Sequence, residues 1–201
     1  MLALQLVEGQ PSRSNLRWHM QFSILPESDH PLVALRPIEA ADLPVWLSYL
    51  DLPEVYEHTS WNAPTLDDLA PYVWQDAMRK PGNLLRLAVV SRSTNRLVGT
   101  LGFHTVMPTN QSAEIAYDLS PEFWGKGIAT ALCRLAVQWA HGHANIIRVQ
   151  AVVLESNARS RRVIERAGFV REGLLRSYRM VRGTPGNFHM YAHISDSPSA
   201  A

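Results

Sequence analysis

The residues with the clearest chemical potential sit in one junction, WGKGIAT (Trp124 to Thr130), where two glycines and a lysine precede a long apolar-striped helix. A helix start presents unpaired N–H groups and the positive end of the helix dipole. Gly125 and Gly127 let an anion approach bare backbone, so the N–H groups from Gly125 to Thr130 could cradle a phosphate. Lys126 adds a cation that could equally face water. The common nucleotide fingerprints are missing: GxxxxGK followed by Ser or Thr is absent, and GxGxxG would need a glycine where Thr130 stands. The junction alone therefore leaves a phosphate site and a plain helix-starting turn both open.

Other chemistry is scattered. Glu114, in AEIAYDL, shares a strand face with Ala116 and Asp118 by alternation, and is a candidate general base or a carboxylate that attracts an amine. Asn157 and Ser160 stand three apart at the start of a helix, where Asn157 is a natural N-cap. His104 ends a strand and is either structural or part of an acceptor site. His141 and His143 lack further obvious ligands, so no metal is expected. Cys133, the one cysteine, lies in a helical stripe as a small buried hydrophobe and excludes a disulfide framework.

These residues need elements to position them. LVALRP (Leu32 to Pro37) reads as a strand, and Leu43, Trp46, Leu47 and Leu50 recur as the stripe of an amphipathic helix. Thr65 can cap a second helix with Asp67 and Asp68 in its first turn, burying Leu66, Leu69, Ala70, Val73 and Ala77, with Pro71 forcing a kink or a later start. LLRLAVV (Leu84 to Val90) and RLVGTLGFHTV (Arg96 to Val106), joined by SRSTN, predict a hairpin. AEIAYDL (Ala113 to Leu119) leads into the glycine junction, whose helix buries Ile128, Ala131, Leu132, Leu135 and Trp139 and ends at His141-Gly142-His143. NIIRVQAVVL (Asn145 to Leu154) suits a central strand, and SNARSRRVIERAG a helix with Val163, Ile164 and Ala167 inside and Gly168 as its stop. Strand-like FVREG and NFHMYAHI follow. The order predicts an α/β fold with a mixed sheet.

At 201 residues, 46% hydrophobic and 18% charged, the chain suits one domain, expected over residues 32–194. Residues 1–31, with strand-like LQLVE and MQFSIL, read as an extension of uncertain order, and residues 195–201 as a frayed tail. A formal net charge of +1 leaves no footprint of nucleic-acid or acidic-membrane binding. Neither a signal-like start nor a long apolar run is present, so a cytoplasmic address is the default.

The segment AEIAYDLSPEFWGKGIATAL, followed by VVLESNARSRRVIERAGFVREGLLR, resembles the GNAT acetyltransferase superfamily, especially its ribosomal-protein-acetylating branch. The resemblance spans about Leu32 to Ile194. It implies a mostly antiparallel mixed sheet with a central, splayed parallel strand pair and helices on both faces. The family's pyrophosphate motif, Gln or Arg, two residues, Gly, one residue, Gly or Ala, falls on Trp124 to Ala129, with Trp124 departing at its first position. The resemblance implies acetyl-coenzyme A (acetyl-CoA) as co-substrate, its pyrophosphate on Gly125, Lys126, Gly127, Ala129 and Thr130. Its pantetheine arm would pair with the strand edge at Tyr117, Asp118 and Leu119, as an added strand would.

By the same resemblance Asn157 holds the cofactor arm and Ser160 hydrogen-bonds or protonates the leaving thiolate. Glu114 becomes a general base acting through water, and His104 lies near the acceptor. In the loop EHTSWNAPT, Trp61 could wall the acceptor groove, whereas Trp46 and Trp74 read as core. Asn187, in MVRGTPGNFHMY, stands where similar sequences carry an acidic residue. The implied activity is direct acetyl transfer to a primary amine, a small molecule or a protein N-terminus, by a monomer or homodimer. The rival from another class is an acyl-coenzyme A binding module without turnover.

Overall fold

A computed structural model describes residues 25–59, 64–73 and 85–195. Period-two alternation is cleanest in β2 (Leu85–Ser91), where Leu85, Leu87 and Val89 enter one core while Ala88 and Val90 enter another. A strand buried on both faces needs a layer on each side. α1 (Leu43–Leu50) supplies one, with Trp46 fully buried against Ile38 and Leu69. α4 (Ile128–Gly142) and α5 (Ala158–Arg166) cover the other, their buried residues including Ile128, Leu132, Cys133 and Ile164.

The sheet has seven strands in the order β1-β2-β3-β4-β5-β7-β6. β1 (Val33–Pro37), β2, β3 (Leu97–Met107) and β4 (Ser112–Leu119) form an antiparallel run. α4 then carries the chain across to β5 (Arg148–Leu154), which lies parallel to β4 as a helical crossover requires. β6 (Val170–Val181) and β7 (Thr184–Ile194) form a long hairpin whose second strand pairs with β5. The mixed, mostly antiparallel sheet with one parallel pair and helices on both faces is as expected.

The parallel pair is short. β4 and β5 meet only at Ser112, Ala113 and Glu114, opposite Arg148, Val149 and Gln150. Beyond Glu114 the strands diverge, and the β5-facing edge of β4 opens into a groove.

Several local expectations shift. FVREG is the start of a strand that runs on to Val181, with register irregularities between Arg171 and Gly173 and between Leu175 and Arg179. Thr65 caps α3 (Leu66–Leu69) through a reciprocal box with Asp68, but Leu66 is 45% exposed rather than buried. Pro71 sits in a tight 3-10 turn from Ala70 to Tyr72, because proline cannot donate to a continuing helix. In α4, Cys133, Ala136, Val137 and Ala140 are buried while Ala131 and Leu135 lie at the margin, so the buried stripe is rotated from the expected one. The strand-like LQLVE, most of MQFSIL, Trp61, Trp74, Ala77 and residues 196–201 fall outside the described residues.

Candidate active site

The groove beside β4 ends at the glycine junction. Gly125 and Gly127 have φ of 74° and 77°, the left-handed region where an L side chain is strained. Gly127 is the N-cap of α4 and brings no side chain to cap it, so the first N–H groups of the helix stay directed at the groove. A Cβ built at either glycine meets nothing within 4 Å; that open space is where an anion would approach the backbone. Lys126 turns aside, its ammonium 4.9 Å from the centre of the Phe123 ring.

Gly125, Gly127, Ala129 and Thr130 line a groove of about 590 Å³ together with Tyr117, Asp118, Leu119, Asn157 and Ser160. The fold thus brings every expected cofactor-binding residue except Lys126 to one cavity. Arg159, Arg162 and Arg166 line it as well. Sequence reasoning missed these three, although their spacing in SNARSRRVIER places them along one side of α5. The Arg159 guanidinium stacks on Trp124 at 4.7 Å. Guanidiniums beside a helix N-terminus give the groove the charge and donors that phosphates require.

Along β4 the three expected strand-edge residues divide. Ser120 N–H bonds to Val98 O, so by alternation the backbone of Asp118 also faces β3, whereas Tyr117 and Leu119 face the splay. The Leu119 carbonyl accepts from the Trp124 indole N–H at 2.8 Å, which gives that tryptophan a positioning role. Asp118 contributes its side chain elsewhere: its carboxylate accepts from Arg86 at 2.5 Å, from the Thr100 hydroxyl at 2.6 Å and from the Tyr49 hydroxyl. Arg86 is buried and also lies over the Trp46 ring at 5.5 Å. Burial, reinforced by the Asp118 charge, pushes the Tyr49 hydroxyl well above its ordinary range, so it stays a proton donor.

Where groove and strand meet, the Tyr117 and Ser160 hydroxyls are hydrogen-bonded at 2.7 Å, and either can donate. Burial pushes the Tyr117 pKa far up. Asn157 caps α5, its Oδ1 accepting from Ser160 N–H at 2.8 Å, while its Nδ2 donates to His58 O at 3.0 Å.

A second cavity of about 380 Å³ shares Tyr117, Asp118, Asn157, Ser160, His58 and Thr59 with the groove and adds His104, Glu114, Arg86 and Arg179. Glu114 is buried, accepting from Arg179 at 2.9 Å and from Gln150 at 3.3 Å. His104 is the unpaired residue of a bulge: Phe103 opposes Ile115 and Thr105 opposes Glu114, with no partner between. A bulge re-aims a side chain, and here His104 joins the cavity wall. Desolvation first, then the Arg179 and Arg86 charges, hold its pKa below the usual histidine value against the pull of Glu114. His104 is therefore neutral at neutral pH.

The remaining candidates lie elsewhere. His141 bonds to Ile146 O at 2.6 Å and to His193 at 3.0 Å, and Cys133 is buried in the core with its thiol pKa raised by desolvation. Asn187 Nδ2 donates to Glu155 and its Oδ1 accepts from Ser177 N–H, so its amide closes the β6–β7 hairpin. Among the described residues no helix is long and apolar enough to cross a membrane.

Residues 33–170 match the acetyltransferase (GNAT) domain family. An uncharacterized N-acetyltransferase of Bacillus subtilis, YoaA, is 34% identical over 108 residues, 54% of this chain and 61% of that protein. The ribosomal-protein-S5-alanine acetyltransferase of Vibrio fischeri shares the fold with a TM-score of 0.75 at 19% identity, over 87% of this chain and 99% of that one. The spermidine N-acetyltransferase of Vibrio cholerae, solved with CoA and spermine, superposes with a TM-score of 0.71 at 20% identity over 82% and 96%. With the family match spanning well over half of its length, the chain belongs to the GNAT acetyltransferase family.

Proposed function

We propose that this protein transfers the acetyl group of acetyl-CoA to a primary amine by direct attack within a ternary complex. One observation carries the proposal: the groove from the Gly125–Thr130 helix start runs into the cavity holding Glu114 and His104, and the Tyr117–Ser160 pair lies at their junction. A thioester laid along the groove is thereby presented to an amine in the cavity. Binding both reactants in line supplies much of the rate.

In the proposed reaction the pyrophosphate rests on the N–H groups of Gly125 to Thr130, with Arg159, Arg162 and Arg166 facing the remaining phosphate charge. The pantetheine amides pair with Tyr117 and Leu119. Asn157 fixes the start of α5 and hence Ser160. The acceptor ammonium first loses a proton, through water, to Glu114, with His104 beside it as a second neutral acceptor. The amine lone pair then forms the C–N bond at the thioester carbonyl. Collapse breaks the C–S bond, and the thiolate takes up the second proton shed by the nitrogen, passed through the Ser160 hydroxyl, which Tyr117 holds in place by their hydrogen bond. Arg179 occupies one Glu114 oxygen and Gln150 the other, so a water between Glu114 and the acceptor carries the proton.

The cavity also bears on the acceptor. Its described carboxylates, Glu114 and Asp118, are each paired with an arginine, Arg179 and Arg86. A polycation finds no free carboxylate pair there, so the proposed acceptor carries a single amine: a protein N-terminus or a small monoamine. The test is thiol release from acetyl-CoA over a panel of N-terminal peptides, monoamines and spermidine, with the acetylated product identified by mass. Acetylation of a peptide or monoamine in preference to spermidine supports the proposal. Cofactor binding without thiol release on any acceptor would instead favour a non-catalytic acyl-CoA-binding module.

A further inference from the structure

The segment following α2 (Pro53–Tyr56) crosses the junction of groove and cavity, and His58 and Thr59 line both. Its four successive carbonyls are held by two side chains from distant parts of the chain. Arg182 donates to Tyr56 O at 3.0 Å, Glu57 O at 3.0 Å and Thr59 O at 3.1 Å. Asn157 donates to the remaining one, His58 O, at 3.0 Å. The Arg182 guanidinium also lies 5.0 Å from the centre of the Tyr56 ring. These carbonyls lie at and just past a helix C-terminus, where a cation is favourable, and Tyr56 O also accepts from the Thr59 N–H.

Arg182 reaches them from the tip of the β6–β7 hairpin. Val181 pairs with Thr184, and Arg182 and Gly183 form a two-residue turn with φ of 49° and 78°. Such turns favour Asn or Asp at the first position, and arginine adopts this conformation at a cost. The fork of a guanidinium explains its presence, because one planar group with several fixed donors can hold several carbonyls together.

Resting on the acetyltransferase reading above, we propose that Arg182 is a positioning residue. It clasps the Tyr56–Thr59 segment against Asn157, so that His58 and Thr59 form the wall along which the acceptor amine meets the thioester. The acceptor side depends on this clasp more than the cofactor side, because the cofactor retains the Gly125–Thr130 backbone and the α5 arginines.

The test uses the full chain as wild type, Arg182→Ala and Arg182→Lys, with acetyl-CoA and the panel acceptor of highest turnover. Arg182→Ala is expected to raise the acceptor KM about tenfold, with kcat within about threefold and the acetyl-CoA Kd within about twofold of wild type. Arg182→Lys should fall between, since an ammonium lacks the planar fork. Hydrogen exchange at the Glu57 to Thr59 amides, which bond to the Pro53, Val55 and Tyr56 carbonyls, should quicken roughly tenfold in Arg182→Ala and leave β4 unchanged. An acceptor KM within about twofold of wild type overturns the proposal, as does a parallel rise in acceptor KM and acetyl-CoA Kd. If Arg182→Ala does not fold, the same KM split in Arg182→Lys decides. A silent panel with wild type sinks the acetyltransferase reading alone; unchanged exchange in the segment sinks the clasp.

Discussion

The two halves of the site are built differently. The proposed cofactor half comes mainly from two stretches, one running from β4 through the glycine junction into α4 and the other along one side of α5. The proposed acceptor half is assembled from parts far apart in sequence: the His104 bulge, the Arg86–Asp118 ion pair, Arg179 from β6, and His58 and Thr59, which wall the groove as well. The first half relies on backbone donors, which tolerate a change such as Trp124 at the head of the motif. The second relies on side chains that neutralise one another in pairs, so loss of one leaves its partner exposed to an unfavourable setting. Trimming a side chain in the cofactor half should therefore alter binding with little loss of stability, whereas breaking an ion pair in the acceptor half should cost stability as well as function.

The largest expected effect is at Asp118. Asp118→Ala removes the partner of a buried guanidinium, and breaking a buried pair in this way costs about 3–5 kcal/mol. Chemical denaturation of the variant should show that loss. A stability within about 1 kcal/mol of wild type would mean that Arg86 finds other partners, and the contrast between halves would weaken.

Next come the residues assigned to proton movement. Glu114→Gln and Ser160→Ala should each lower kcat by roughly 10² or more, the usual contribution of a positioned acid or base. Single-turnover rates within a factor of about three of wild type would remove both from the proposed chemistry.

Within the cofactor half, Gly127→Val forces a β-branched residue to positive φ in open space and puts its side chain where an anion would lie. Strain of about 1–3 kcal/mol is expected at such a position. Acetyl-CoA affinity should fall by at least tenfold, taking about 1.4 kcal/mol per decade. Lys126→Ala should cost less, about threefold or under, because its ammonium already rests on the Phe123 ring. Equal losses at the two positions would move the binding from backbone to side chain.

The smallest effect concerns His104. Its folded pKa lies below the ordinary value, so the native state takes up its proton later than the unfolded chain does. The stability this contributes is present above about pH 6.5 and is lost as pH falls from there toward the folded value. His104→Gln should remove that portion of the acid destabilisation. Denaturation curves of wild type and variant that stay parallel from pH 7 to 5 would speak against it.

The same contrast decides how much was legible in the sequence. Gly125, Gly127, Asn157 and Ser160 are readable through the resemblance of their two sequence blocks to the GNAT superfamily; their spacing alone places them at two helix starts and leaves a phosphate site and a plain turn both open. Arg86 gave no such signal: it sits mid-strand in LLRLAVV, and its partner Asp118 is 32 residues away. His104 could be placed near the acceptor, but the bulge that exposes it arises only when β3 pairs with β4. β6 read as five residues because two register irregularities break the period-two alternation past Gly173, and Ser177 has a φ of 51°. The β6–β7 tip was likewise silent, since Arg182 acts on carbonyls about 125 positions away along the chain.

Titration of acetyl-CoA into the wild-type chain and Gly127→Val, followed by calorimetry, tests the cofactor assignment most directly. Wild type should bind one equivalent with a Kd in the range of ~1–100 μM, typical of a co-substrate near physiological levels, and the variant at least tenfold more weakly. No heat, and no rise in melting temperature of wild type at saturating acetyl-CoA, would contradict the assignment of the Gly125–Thr130 helix start as its phosphate cradle.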